Sequence, residues 1–317
     1  MPSFESRKLA ALVEALRVSG APGFRNDPIA AVLWITLAMA LFAALSAFAK
    51  QLGQAGLPPF ETIFFRNLFG LVFMLPLLFW RGASLIRTEQ FGLYGVRVAL
   101  SLFSMMVWFH AVILIPLGEL QAIGFTAPLF ATLFAMFYLG EIVRARRWTA
   151  LFVGFVGALV ILRPGMAQLG YGQILALVAA LVTGMIGPLI KQLTAKDDAD
   201  KIVFLSALLM TPLSLIPALF VWQWPTAALW PHLAGMGLCA ALGHVALVRG
   251  LAATDASLAF SFEFSRLPFA VAIGYWVFGE STDLWTWAGA LVIFAAALYI
   301  TRREAQLQRQ GTGIGRQ

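Results

Sequence analysis

The sequence predicts an all-α integral membrane protein with ten transmembrane helices, arranged as two inverted five-helix repeats. Three observations carry this reading. The 317-residue chain is 61% hydrophobic and only 12% charged, with mean hydropathy +0.85, whereas a soluble domain carries about 25% charged residues. Its apolar residues fall into bilayer-length segments without period-two alternation, which favours helices over a barrel. A shift of 139 residues also aligns the chain on itself. Ten spans of about 20 residues would occupy roughly 200 positions, in line with the hydrophobic fraction. Soluble enzymes, nucleic-acid binders and secreted disulfide scaffolds are excluded. The single Cys239 excludes an internal disulfide and a multi-thiolate metal centre.

Residues 1–28 carry Arg7, Lys8, Glu14, Arg17, Arg25 and Asp27 and lack a signal-like apolar run, so a cytoplasmic N-terminal segment is expected. Leu9, Leu12, Val13 and Leu16 would share the apolar face of a short interfacial helix. Spans are then expected at about 29–49, 62–80, 98–115, 120–139, 148–162, 174–190, 202–222, 233–248, 256–277 and 284–300. Between them lie clusters of Pro, Gly and charge: Gly56-Leu57-Pro58-Pro59, Pro116-Leu117-Gly118, Arg163-Pro164-Gly165 and Lys196-Asp197-Asp198. The expected organisation is a first repeat at 29–165, a second at 171–303 and a cytoplasmic tail at 304–317.

Sidedness follows from charge. The net charge of +7 reads as topology rather than as a site for an acidic partner. With both termini cytoplasmic, eighteen basic residues fall inside, Arg97 among them, while Lys50 and Arg163 fall outside. The split is strongly positive-inside.

Within the repeat, Phe125, Phe130, Ala131, Gly140-Glu141 and Trp148 recur as Phe264, Phe269, Ala270, Gly279-Glu280 and Trp287. Ten of 35 aligned positions are identical, where this composition would give roughly three by chance. Lys50-Gln51-Leu52 recurs as Lys191-Gln192-Leu193. Five spans per half is an odd number, so the halves must insert with opposite orientation. Inverted repeats recur in secondary transporters, with the solute near midplane between them. A channel-like or scaffold protein is the alternative.

The chain here resembles the drug/metabolite transporter superfamily, EamA type, over roughly residues 29–303. The resemblance rests on Phe64-Phe65-Arg66-Asn67 in the second span, Thr126-Ala127-Pro128-Leu129 and Leu139-Gly140-Glu141 around the fourth, Trp148, and Leu162-Arg163-Pro164-Gly165. The second half departs from it: Pro268 sits one place later than Pro128 in the repeat, and Arg163-Pro164-Gly165 has no counterpart. The resemblance implies a ten-helix carrier of small organic metabolites or drugs in the bacterial inner membrane. Its solute site would be lined by spans one, three, four, six, eight and nine. The implied partners are a small-molecule solute and the bilayer, with no nucleic acid, cofactor or metal; a homodimer stays open.

No zinc-helix, nucleophile-elbow or phosphate-loop motif appears, so no enzyme is expected and no catalytic residues are assigned. Ionisable groups inside spans are costly and usually face an aqueous cavity or the bundle interior. Glu263 and Arg266, three apart in the ninth span, form a candidate solute- or proton-sensing pair, or else a structural ion pair. His110 and His244 are candidate ligand or proton contacts, or helix-bridging histidines. Gln121, Thr126 and Pro128 form a polar, kink-prone patch in the fourth span; Pro268 and Gly187-Pro188 offer similar breaks. Trp108, Phe125, Phe260 and Phe264 could wall the solute. Arg66, Lys50, Lys191, Glu141 and Glu280 are candidate gating or structural residues at span ends.

Overall fold

The computed structural model describes residues 28–139, 145–162, 170–193, 196–197, 199–252, 265–295 and 298–299. Among these residues the chain is helical, with no strand. The first half contains α1 (Pro28–Gln54), α2 (Pro59–Arg81), α3 (Phe91–Leu114), α4 (Leu117–Gly124), α5 (Ala127–Leu139) and α6 (Ala145–Leu162). The second contains α7 (Tyr171–Leu193), α8 (Ala199–Leu219), α9 (Trp230–Ala252), α10 (Arg266–Phe278) and α11 (Leu284–Ala295). The N-terminal interfacial helix expected before residue 28 lies outside the described residues.

Local chemistry sets the boundaries. Gly56, at φ 89°, turns the chain out of α1, and Pro59 opens α2, where a missing N–H costs nothing. Pro116 ends α3 and precedes α4. Segments Val32–Gln54, Phe91–Leu114, Tyr171–Ile190 and Lys201–Leu219 are each long and apolar enough to cross a bilayer. Outward-facing residues are apolar too: Trp276 is 80% exposed, a surface that suits lipid rather than water.

The fourth span is not one helix. It breaks at Phe125-Thr126 into α4 and α5. Pro128 has no N–H to offer the carbonyl of Gly124, so the regular ladder cannot run through. The turn tightens instead: the Thr126 N–H and hydroxyl both donate to the Ile123 carbonyl, at 3.0 and 2.8 Å. Gly187-Pro188, expected to break the sixth span, does not. Pro188 lies inside continuous α7, whose packed neighbours tolerate the one lost hydrogen bond. Of the ninth span, 256–264 lies outside the described residues; its remainder is α10.

The repeat read from sequence reappears in the elements. α3 and α9, α5 and α10, and α6 and α11 each begin 139 residues apart, and α5 and α10 also end 139 apart. The halves interlock. α1 packs along α9 and α3 along α7, while α10 lies on α1 and α5 on α7. Exchanging the halves turns each contact of these pairs into the other, as a pseudo-two-fold relation requires. Glycines allow the closest approaches: a Cβ on Gly184 of α7 would stand 2.7 Å from the Ala131 nitrogen of α5.

Candidate functional site

Where the second and third helices of each half meet, they line an open-sided cavity of about 220 Å³. α2 contributes Arg66 and Asn67, α3 contributes Arg97, Ser101 and Met105, α8 contributes Ser206, and α9 contributes His244. Each wall thus has its counterpart from the other repeat. The Arg66 Nη1 donates to Asn67 Oδ1 at 2.8 Å and lies 3.8 Å from the Met105 sulfur. Arg97 donates to the Ser206 hydroxyl. The Nε atoms of both arginines are buried without an acceptor. Among the described residues, no carboxylate reaches either guanidinium, and none lines the cavity. Arginines within spans are costly, so two without a carboxylate partner among the described residues call for a role.

His244 stands on the wall of the same cavity. Its Nδ1 lies 2.7 Å from the Ala240 carbonyl. A carbonyl only accepts, so Nδ1 carries the proton there and Nε2 is the acceptor of the neutral ring. Phe42 of α1 meets the His244 ring edge-on at 5.1 Å and lies 5.7 Å from the Arg266 guanidinium carbon.

Ser46 of α1 ties the broken fourth span to α10. Gln121 of α4 donates to its hydroxyl at 3.2 Å and Arg266, first residue of α10, donates at 3.3 Å. The hydroxyl in turn donates to the Phe42 carbonyl at 3.1 Å. Gln121 is almost fully buried, so its amide depends on this bond.

One turn further along α1, Lys50 is 4% exposed. It forms an ion pair with Glu280, just beyond α10, and donates to the Ile115 carbonyl at 2.7 Å. Glu280 also accepts the Leu117 N–H at 2.8 Å. This latch joins α1 and the α3–α4 turn of one half to the end of α10 in the other. A second clasp joins the α2–α3 and α7–α8 connections. Asp197 accepts from Thr88 at 2.6 Å, Tyr94 at 3.2 Å and Gln90 at 3.3 Å, and pairs with Lys201 at 2.6 Å. Burial alone would raise the Asp197 pKa, but the bonds from Lys201, Thr88 and Tyr94 outweigh it and hold the carboxyl below its ordinary value.

The candidates from sequence divide accordingly. Arg66 and His244 line the cavity; Gln121 and Arg266 meet at Ser46; Lys50 and Glu280 meet each other. Trp108 packs over Gly124 at the α4 break, and Phe125 caps α4, neither on the cavity wall. Thr126 is occupied with its own turn. His110 is away from the cavity, its Nδ1 2.7 Å from the Met106 carbonyl and its ring against Phe60. Glu141, Phe260, Glu263 and Phe264 lie outside the described residues, as does the side chain of Lys191; so does the proposed Glu263–Arg266 pairing. Of the six spans expected to line the site, the cavity uses the third and eighth, and it adds the second and seventh. Among the described residues, no group of His, Cys, Asp and Glu could hold a metal ion.

Arg97, Asn67, Ser206 and Ser46 were not singled out from sequence. Arg97 was legible only as a loop cation, because the third span was expected to begin at 98. α3 instead starts at Phe91 and carries the arginine inward.

Interlocked repeats of apolar helices around a cavity that holds two arginines have the build of a multi-pass membrane transporter. The pattern of the EamA-like transporter family matches residues 29–163 and 170–302. The chain belongs to that family, within the drug/metabolite transporter superfamily, and is a small-molecule transporter rather than an enzyme. It is 31% identical to a riboflavin transporter of Vibrio cholerae over 92% of this chain and 99% of that protein. It is 27% identical to an S-adenosylmethionine uptake transporter of Rickettsia felis, over 86% and 92%. To a pseudopaline exporter of Pseudomonas aeruginosa it is 28% identical, over 86% and 95%. A crystal structure at 17% identity superposes with a TM-score of 0.59, covering 86% of this chain and 98% of that one, which shows the shared fold.

Proposed function

We propose that the protein is a secondary carrier that moves a small organic metabolite across the bacterial inner membrane by alternating access, through ten spans with both termini cytoplasmic. The observation that carries this reading is the cavity shared by α2 and α3 of one repeat and α8 and α9 of the other. Inverted repeats place a solute site where the halves meet, and rocking one half on the other exposes it to each side in turn. Lys50–Glu280 is a gating contact in this scheme, since it must part for the halves to separate on that face. The repeats occupy 29–165 and 171–303, followed by the tail at 304–317.

Riboflavin and S-adenosylmethionine, the solutes of the similar uptake carriers, are the first to test; of the two, only S-adenosylmethionine carries a carboxylate. The experiment is uptake of each labelled compound into proteoliposomes containing the purified protein. Saturable uptake of at least one of them, competed by the same compound unlabelled, is the expected result. Uptake of other vitamins, nucleosides or amino acids without either would redirect the substrate but keep the carrier. Flux that is linear in concentration, or no flux of any metabolite, would favour a channel-like or scaffold protein.

A further inference from the structure

We propose that the cavity recognises its solute through an anionic group, a carboxylate or phosphate, held between the guanidiniums of Arg66 and Arg97. The proposal rests on the carrier reading above and assigns the substrate chemistry of that same cavity. Both arginines stand on its wall, from α2 and α3. Each already spends one donor on a neutral acceptor, Asn67 Oδ1 and Ser206 Oγ respectively. Those acceptors supply dipoles, not charge, and both Nε–H groups remain buried without an acceptor. A buried cation is tolerated when a counter-charge or several hydrogen bonds replace its water.

Among the described residues, the lining offers hydroxyls, an amide, methionines and a histidine, and no carboxylate. His244 adds no negative charge in either protonation state. The described walls of the cavity therefore carry an excess of positive charge and of N–H donors. An oxyanion is the complementary species: it accepts several hydrogen bonds at once and matches the flat donor edge of guanidinium. Arg66 stands on α2 and Arg97 on α3, so the anion is gripped from two helices of one half, with Ser206 of the other half beside Arg97. The remainder of the solute then extends toward His244 and Phe42. A cationic solute without an acidic group is disfavoured at this site.

The repeat supports a dedicated role. Met105 and His244 occupy equivalent positions 139 residues apart, and both line the cavity. The wall is inherited from the duplication, whereas its charge is carried mainly by one half.

Thermal unfolding of the purified full-length protein in detergent tests the proposal without a transport assay. Sodium phosphate and sodium benzoate, at about 10 mM, are compared with sodium chloride at matched ionic strength. At least one oxyanion should raise the midpoint by about 2–4 °C over chloride. R66Q and R97Q should remove that increment, while K196Q, at an exposed loop lysine, should keep it. A variant that supplies the anion internally guards against misfolding of the arginine variants. Because Met105 lies 3.8 Å from Arg66, M105E should fold with a midpoint at or above that of the wild type and show no anion increment. A wild type indifferent to both oxyanions, or an M105E protein that is destabilised and still responds to them, would overturn the proposal. Failure of riboflavin transport leaves this result standing, and absence of anion stabilisation leaves transport standing, so the two readings fail separately.

Discussion

Lys50, near the end of α1, is paired with Glu280, just past the end of α10, in a buried contact between the two halves of the chain. The same carboxylate accepts the Leu117 N–H, and the same ammonium donates to the Ile115 carbonyl. Four groups from three stretches of sequence thus satisfy one another.

Removing one charge strands the other. Lys50→Met or Glu280→Met alone should cost about 3–5 kcal/mol, because an uncompensated buried ion remains. The double variant Lys50→Met/Glu280→Met should recover much of the loss. A double-mutant cycle of thermal unfolding checks this, and additive single losses would mean that the pair is not coupled.

Ser46 makes a separate prediction. Ser46→Ala leaves the Gln121 amide and one Arg266 donor without their acceptor, so a loss of about 1–3 kcal/mol is expected. Ser46→Thr, which keeps the hydroxyl, should lose less. Denaturation in detergent would show it, and equal midpoints for Ala and wild type would contradict the contact.

The spacing of the repeat was legible in the sequence, and its physical reason is plain. A duplicated chain keeps short identical runs at a fixed spacing, so Gly140-Glu141 and Gly279-Glu280 preserved the register. Arg66 was legible because an arginine inside an apolar run stands out. Arg97 was not, since a cation at the edge of a hydrophobic run is the ordinary pattern of a cytoplasmic loop. The partnership of Lys50 with Glu280 could not be read either. Each residue alone has the signature of a span end, and only the fold brings opposite halves together.

Close helix contact gives a third prediction. A Cβ on Gly184 would stand 2.7–2.9 Å from backbone atoms of α5, which cannot retreat as a flexible side chain could. Gly184→Val should therefore destabilise the protein by more than about 2 kcal/mol. Val182, on the same helix, provides a control as Val182→Ile. The comparison is of folded yield and unfolding midpoint, with a normal midpoint for Gly184→Val as the contrary result.

The Asp197 clasp should depend on pH with a definite sign. Its carboxyl is held below the ordinary value of 3.8, so its stabilisation is present above that value and is lost as pH falls through the lower, folded-state value. Wild type should exceed Asp197→Asn in midpoint by a constant margin between about pH 5 and 7, and the margin should shrink below about pH 4. A margin that grew on acidification would reverse the sign and reject the assignment.

Orientation can be tested directly. Reporters active only in the cytoplasm, fused after residue 145 and at the C-terminus, should work, and one near Pro225 should not. A pattern that requires an odd number of spans would remove the inverted arrangement.

Phe42, Ser46 and Lys50 lie four residues apart, so α1 presents all three along a single stripe. The first touches His244 and Arg266, the second Arg266 and Gln121, and the third Glu280. A helix toothed in this way cannot roll about its own axis without disengaging every tooth at once. A tilt instead releases them in order, starting from whichever end swings away. Motion of α1 against the second half is thus restricted to a zipper-like opening with intermediate stops, and the cavity side and the Lys50 end need not let go together.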